Sequence, residues 1–128
     1  MKEEFLNKAK ENLKIAQLSF EHDCYNACAN RAYFAAFQAA IAALAKEGVQ
    51  KGKNDHAYVQ SEFNFRLIKR QKIYPAKLKA YLSDMQYVRN IADYSSDNVG
   101  KKLAREQILQ AAEMIGFIER ELKNEYKS

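Results

Sequence analysis

Arg89, Asp93 and Tyr94 lie in the stretch MQYVRNIADYSSD, residues 85–97, and helical spacing turns them from scattered polar residues into a cluster. Arg89 and Asp93 are i and i+4, and Asn90 and Tyr94 form a second such pair beside them. A guanidinium binds phosphate, a carboxylate orients it, and a phenol donates or accepts a proton, so the set fits a site for a phosphate-bearing ligand. It also fits a plain intrahelical ion pair, worth about 0.2–0.5 kcal/mol. The base precedes the acid here, which is the less favourable order for stability alone.

Two further features carry chemistry. Asn26, Asn30, Arg31, Tyr33 and Gln38 interrupt the apolar run CYNACANRAYFAAFQAAIAALAKEG, and burying them is unfavourable unless each finds a partner. Arg31 in particular needs a carboxylate, a phosphate or water. Between Phe63 and Ser83 there is no acidic residue, while Arg66, Lys69, Arg70, Lys72, Lys77 and Lys79 fall there. That segment suits a polyanion such as RNA, and it equally suits a solvated basic loop that aids solubility.

The elements that must position these residues are helical. The 128 residues fit one domain, 1–128, and the chain is nearly half apolar, 29% charged, and holds four glycines and one proline. Phe5, Ala9, Leu13, Ala16 and Phe20 mark a first helix from Glu3 to about Glu21. Asp23 is placed to cap the second, which runs to Gly48 with apolar residues on nearly every side and so belongs at the centre of a bundle. GVQKGKND reads as a flexible linker. Val59, Phe63 and Leu67 face inward on a third helix, His56 to Lys69, and Pro75 suits the first turn of a fourth. Leu78, Leu82, Met85 and Ala92 form the fourth helix's stripe, ending near Tyr94. SSDN offers caps for a fifth from about Val99 to Tyr126, with Leu103, Ile108, Ala111, Ala112, Ile115, Ile118 and Leu122 as its apolar side. The expectation is an all-α antiparallel bundle of four long helices and one shorter one.

Other chemistries lack their residues. Cys24 and Cys28, one turn apart in an alanine-rich stretch, read as small buried hydrophobes. With His22 and His56 they do not make a zinc pattern, so no metal and no cofactor are expected. The sequence has no glycine-rich phosphate loop or nucleophile elbow. No run reaches the roughly 18 apolar residues of a membrane span, and the charged opening Met1-Lys2-Glu3-Glu4 is unlike a signal peptide. A cytoplasmic protein with no membrane partner is expected.

Three segments resemble small bacterial and archaeal HEPN proteins. NRAYFAAFQAAIAAL (Asn30–Leu44) is similar to their second helix, where a serine or similar residue precedes Arg-Ala-Tyr-Tyr-Ala and an alanine-rich run. HAYVQSEF (His56–Phe63) resembles the His and Phe segment that follows, and LSDMQYVRNIADYS (Leu82–Ser95) the fourth-helix signature of an arginine followed by Ala-Asp-Tyr. Order and spacing agree from about Phe20 to Phe117.

The resemblance implies a homodimer whose fourth-helix motifs meet in a shared cleft. It further implies RNA or nucleotide as ligand and, in many relatives, metal-independent RNA cleavage by toxins paired with a minimal nucleotidyltransferase antitoxin. In those enzymes a histidine follows the arginine by four to six residues; here Tyr94 stands five positions after Arg89 and no histidine follows. Arg89, Asp93 and Tyr94 are therefore the candidate catalytic set, with Arg31, Tyr33, Asn90, Lys69, Arg70 and Lys72 as candidate RNA-binding residues. A phenol titrating near 10 is a poor base at neutral pH and a carboxyl near 3.9 a poor acid, so weak cleavage or binding without chemistry is expected. His56 can replace the missing histidine only if the fold brings it to the cleft. In some relatives the nucleotidyltransferase attaches AMP to a tyrosine near the motif, usually at the position of Ser96, with Tyr94 as the nearest phenol. The alternative is a non-catalytic nucleotide-binding or protein-interaction module.

Overall fold

The computed structural model describes residues 1–49 and 55–124, and the helical stripes of the sequence appear in it as five α-helices. They are α1 (Lys2–Glu21), α2 (Tyr25–Lys46), α3 (His56–Glu62), α4 (Tyr81–Tyr94) and α5 (Lys101–Lys123). No strand occurs among the described residues, and the all-α expectation holds. Nor is any of their helices long and apolar enough to cross a membrane.

α2 takes the central place that its composition demands, packing against α1, α4 and α5. Ala29, Ala32, Ala35, Ala36, Ala39, Ala40, Ala42 and Ala43 are all buried on it. Side chains this small let neighbouring helices approach closely on several sides at once. The inward stripes expected on the other helices are also found: Ala9 and Ala16 on α1, Leu82 and Met85 on α4, and Ala111, Ile115, Ile118 and Leu122 on α5 are buried.

The ends of the elements depart from expectation. Asp23 does not cap α2; it adopts φ +61° and its carboxylate accepts from the Tyr25 hydroxyl, while Cys24 takes the cap position. Cys24 is exposed and only Cys28 is buried, its thiol pushed up to about 11 by loss of solvent. Asp55 caps α3 by accepting from the Tyr58 N–H at 2.7 Å. The third helix is not α-helical to its end, because Phe63–Arg70 is a π-helical stretch. Its wider turn lets Leu67 and Ile68 both pack inward. Pro75 precedes a 3₁₀ turn (Ala76–Ala80) as its N-cap, with ψ 151°, rather than sitting in the first turn of α4. None of the SSDN side chains caps α5, which starts after Gly100. Asn26 of α2 holds that connection instead, accepting from the Val99 N–H at 2.9 Å and donating to Asn98 at 3.0 Å. The 50–54 part of the expected linker and the end of the fifth helix at Tyr126 lie outside the described residues.

Candidate functional site

Phe34, a residue the motif reading passed over, stands at the centre of the polar cluster. Arg89 from α4 lies with its guanidinium carbon 5.1 Å from the Phe34 ring centroid, and Arg31 from α2 lies 5.4 Å from the same ring. The Tyr33 and Tyr94 rings are 5.8 and 5.4 Å from Arg89. Aromatic faces attract cations, so these rings fix two arginines in place without neutralising them.

Neutralisation is incomplete. Arg89 Nε lies 3.0 Å from Asp93 Oδ2, an ion-pair distance, but its N–H is not aligned on the carboxylate and makes no hydrogen bond. Asp93 also accepts from Asn30 Nδ2 at 2.8 Å. Arg31 donates to two amide oxygens, Asn30 Oδ1 at 2.7 Å and Asn12 Oδ1 at 3.1 Å, and Asn12 in turn donates to Gln38. Among the described residues no carboxylate lies within ion-pair distance of Arg31. The two guanidinium groups thus have one carboxylate in their cluster, and it pairs with Arg89 alone. An anion at this face would complete the balance.

The fold also brings His56 to the cluster. Its ring stacks on Phe37 at 4.5 Å, and it packs against Tyr33 and Phe34, the two rings that also hold Arg89. Nδ1 is hydrogen-bonded with the Tyr33 hydroxyl, which leaves Nε2 as the other ring nitrogen. Gln60, one turn along from His56, donates to that hydroxyl at 3.4 Å and to Gln86 Oε1 at 2.8 Å. Partial burial lowers the His56 pKa below its ordinary value of 6.5, the positive charge of Arg89 lowers it further, and Asp55 opposes both. His56 is therefore mostly neutral at neutral pH, and Nε2 can accept a proton in the tautomer whose Nδ1–H donates to the Tyr33 hydroxyl.

The predicted residues fall into three groups. Arg89, Asp93, Tyr94 and Asn90 come together as the spacing suggested, with Asn90 Oδ1 accepting from Arg89 Nη1 at 3.3 Å, and the fold adds Arg31 from α2 through the shared Phe34 ring. Tyr33 does not face a ligand: it is fully buried, its ring beneath Arg89 and its hydroxyl on His56. Burial pushes its phenol up, with Gln60 and Arg89 opposing. Lys69, Arg70 and Lys72 do not join the cluster; they stand on the π-helical stretch and just beyond it, and Lys69 and Lys72 line a separate pocket. Asn12, Phe34, Gln60 and Gln86 were missed. The signal for Gln60 and Gln86 was their helical spacing from His56 and Arg89, at i+4 and i−3.

A comparison with curated proteins gave no match. The HEPN domain profile, by contrast, matches residues 2–122, nearly the whole chain and all of the cluster just described, and the chain belongs to the HEPN domain family.

Proposed function

We propose that the Arg89 face binds the phosphodiester of single-stranded RNA between two copies of the chain and cleaves it without a metal. One observation carries the reading: His56 shares its aromatic bed with Arg89, beside two arginines that have one carboxylate between them. In this proposal neutral His56 takes the proton of the 2′-hydroxyl, whose oxygen attacks phosphorus. The 5′-oxygen leaves with a proton from water, giving a cyclic phosphate and a free 5′-hydroxyl. Arg89 and Arg31 stabilise the charge gathering on phosphorus, and Asp93 holds Arg89. Proton transfer is assigned to His56 in place of Tyr94 and Asp93.

Exposure on α4 supports the two-copy site. Tyr87 and Tyr94 are 69% and 75% exposed, and with Ile91 they follow a helical stripe beside Arg89. A second copy covering this stripe would bring its own arginine to the same cleft. Exposure of Tyr94 also supports a second reading, in which the chain is the partner of a nucleotidyltransferase that modifies that hydroxyl.

The test is cleavage of end-labelled single-stranded RNA in EDTA by the wild type and by Arg89→Ala, His56→Phe and Tyr94→Phe, each shown to be folded by circular dichroism. Cleavage is expected to fall about 100-fold or more in the first two and little in the third. RNA binding without cleavage in the wild type would remove the catalytic part. Mass spectrometry of Tyr94 after incubation with a candidate nucleotidyltransferase and ATP tests the second reading.

A further inference from the structure

The acid-free segment noted in the sequence is only partly neutralised in the fold. Arg66 pairs with Glu62, and Lys77 pairs with Glu113. Among the described residues no carboxylate lies within ion-pair distance of Lys69, Arg70, Lys72 or Lys79. Lys69 and Lys79 line two adjoining pockets. One, of about 540 Å³, is floored by Ile68, Tyr74 and Pro75 and bordered by Lys72. The other, of about 240 Å³, is flanked by Ser61, Asn64 and Phe65, and Phe65 is 51% exposed.

The smaller pocket is lined by residues of α3 and the π-helical stretch after it, the same helical segment that carries His56 and Gln60. Gln60 touches Tyr33 and Gln86, and its neighbour Ser61 already lines the pocket. From His56 to Asn64 the helix advances roughly 12 Å at 1.5 Å per residue. An exposed aromatic ring beside unpaired lysines is the combination that binds single strands without reading their sequence: the base stacks and the backbone meets the charge.

We propose that Phe65, Lys69 and Lys79 form a subsite for a nucleotide flanking the phosphodiester at Arg89, with Phe65 stacking a base and the lysines holding the backbone. It rests on the RNA reading of the Arg89 face and extends it along one strand. The occupant is single-stranded RNA, because charge and an exposed ring coincide there.

The experiment is fluorescence anisotropy of labelled oligouridylates of about two and about twelve nucleotides, the shorter holding the phosphodiester at Arg89 without reaching the pocket and the longer within the site sizes of single-strand binders. The proteins are the wild type, the exposed double variant Lys69→Gln/Lys79→Gln, Phe65→Ala and Arg89→Ala. Neutralising both lysines is expected to weaken the longer oligomer about tenfold, lower its salt slope by about 1.4, and leave the shorter one nearly unchanged. Phe65→Ala is expected to weaken the longer oligomer about fivefold or more at an unchanged salt slope. If Arg89→Ala weakens both oligomers while the lysine and Phe65 variants bind like wild type, the subsite is overturned and the RNA reading stands. Equal losses on both lengths also overturn it. Absence of binding by the wild type at low salt removes the subsite and the RNA reading together.

Discussion

His56 is the residue whose behaviour most sharply separates a working site from a packed one. Burial and Arg89 both lower its pKa, so the folded protein holds fewer protons on it than the unfolded chain does. Its contribution to stability is therefore fully present above 6.5 and is lost as the pH falls through the lower folded value. With only two histidines in the chain, NMR can follow it directly. The expected result is a His56 midpoint below 6.5 that rises in Arg89→Ala, and a cleavage rate that climbs with pH along the same curve. A midpoint untouched by Arg89→Ala would separate the two groups. Lys72 is a different case: it holds φ +55°, a backbone region that disfavours side chains with a Cβ. Lys72→Gly is expected to leave the melting temperature unchanged or raise it slightly, as a thermal scan would show.

At the scale of elements, Asn26 ties α2 to the connection between α4 and α5. Asn26→Ala leaves the partly buried Val99 N–H without its acceptor and is expected to destabilise the fold by about 1–3 kcal/mol in urea unfolding. A loss near zero would mean that water replaces the amide. The sequence marked Asn26 as a polar break needing a partner, yet could not say which, because the partner lies 73 residues away. Stripes, central α2 and the Arg89–Asp93 pair were legible since they depend on spacing within one helix. The caps were not. Asp23 and SSDN are suited locally to a cap and Pro75 to a helix's first turn, and tertiary contacts or backbone geometry placed all three otherwise. His56 reached the cluster through a fold-level packing of α3 on α2, which no local pattern encodes.

For the whole molecule the α4 surface decides the outcome. Tyr87→Glu puts a charge at one end of the exposed stripe without touching the Arg89 network. Sedimentation velocity is expected to show a shift from dimer to monomer, with RNA cleavage falling together with the dimer fraction. A monomeric wild type, or a monomeric variant that cleaves normally, would confine the site to one copy. The helical architecture was legible in the spacing of the apolar residues, whereas the proposed pairing between copies would depend on the exposure of side chains such as Tyr87, which the fourth-helix motif contains but whose exposure its pattern does not state.

The π-helical stretch Phe63–Arg70 has a consequence for how this protein can change. Such a turn behaves like a single extra residue taken up within an α-helix, and it resets the angular phase of everything after it. The histidine end of the segment and the lysine end therefore face their neighbours in separate frames. Removing one residue from the stretch would swing Lys69 around the axis while leaving His56 and Gln60 where they stand. The proposed chemistry at His56 and the proposed subsite at Lys69 could then diverge independently, by length as well as by substitution.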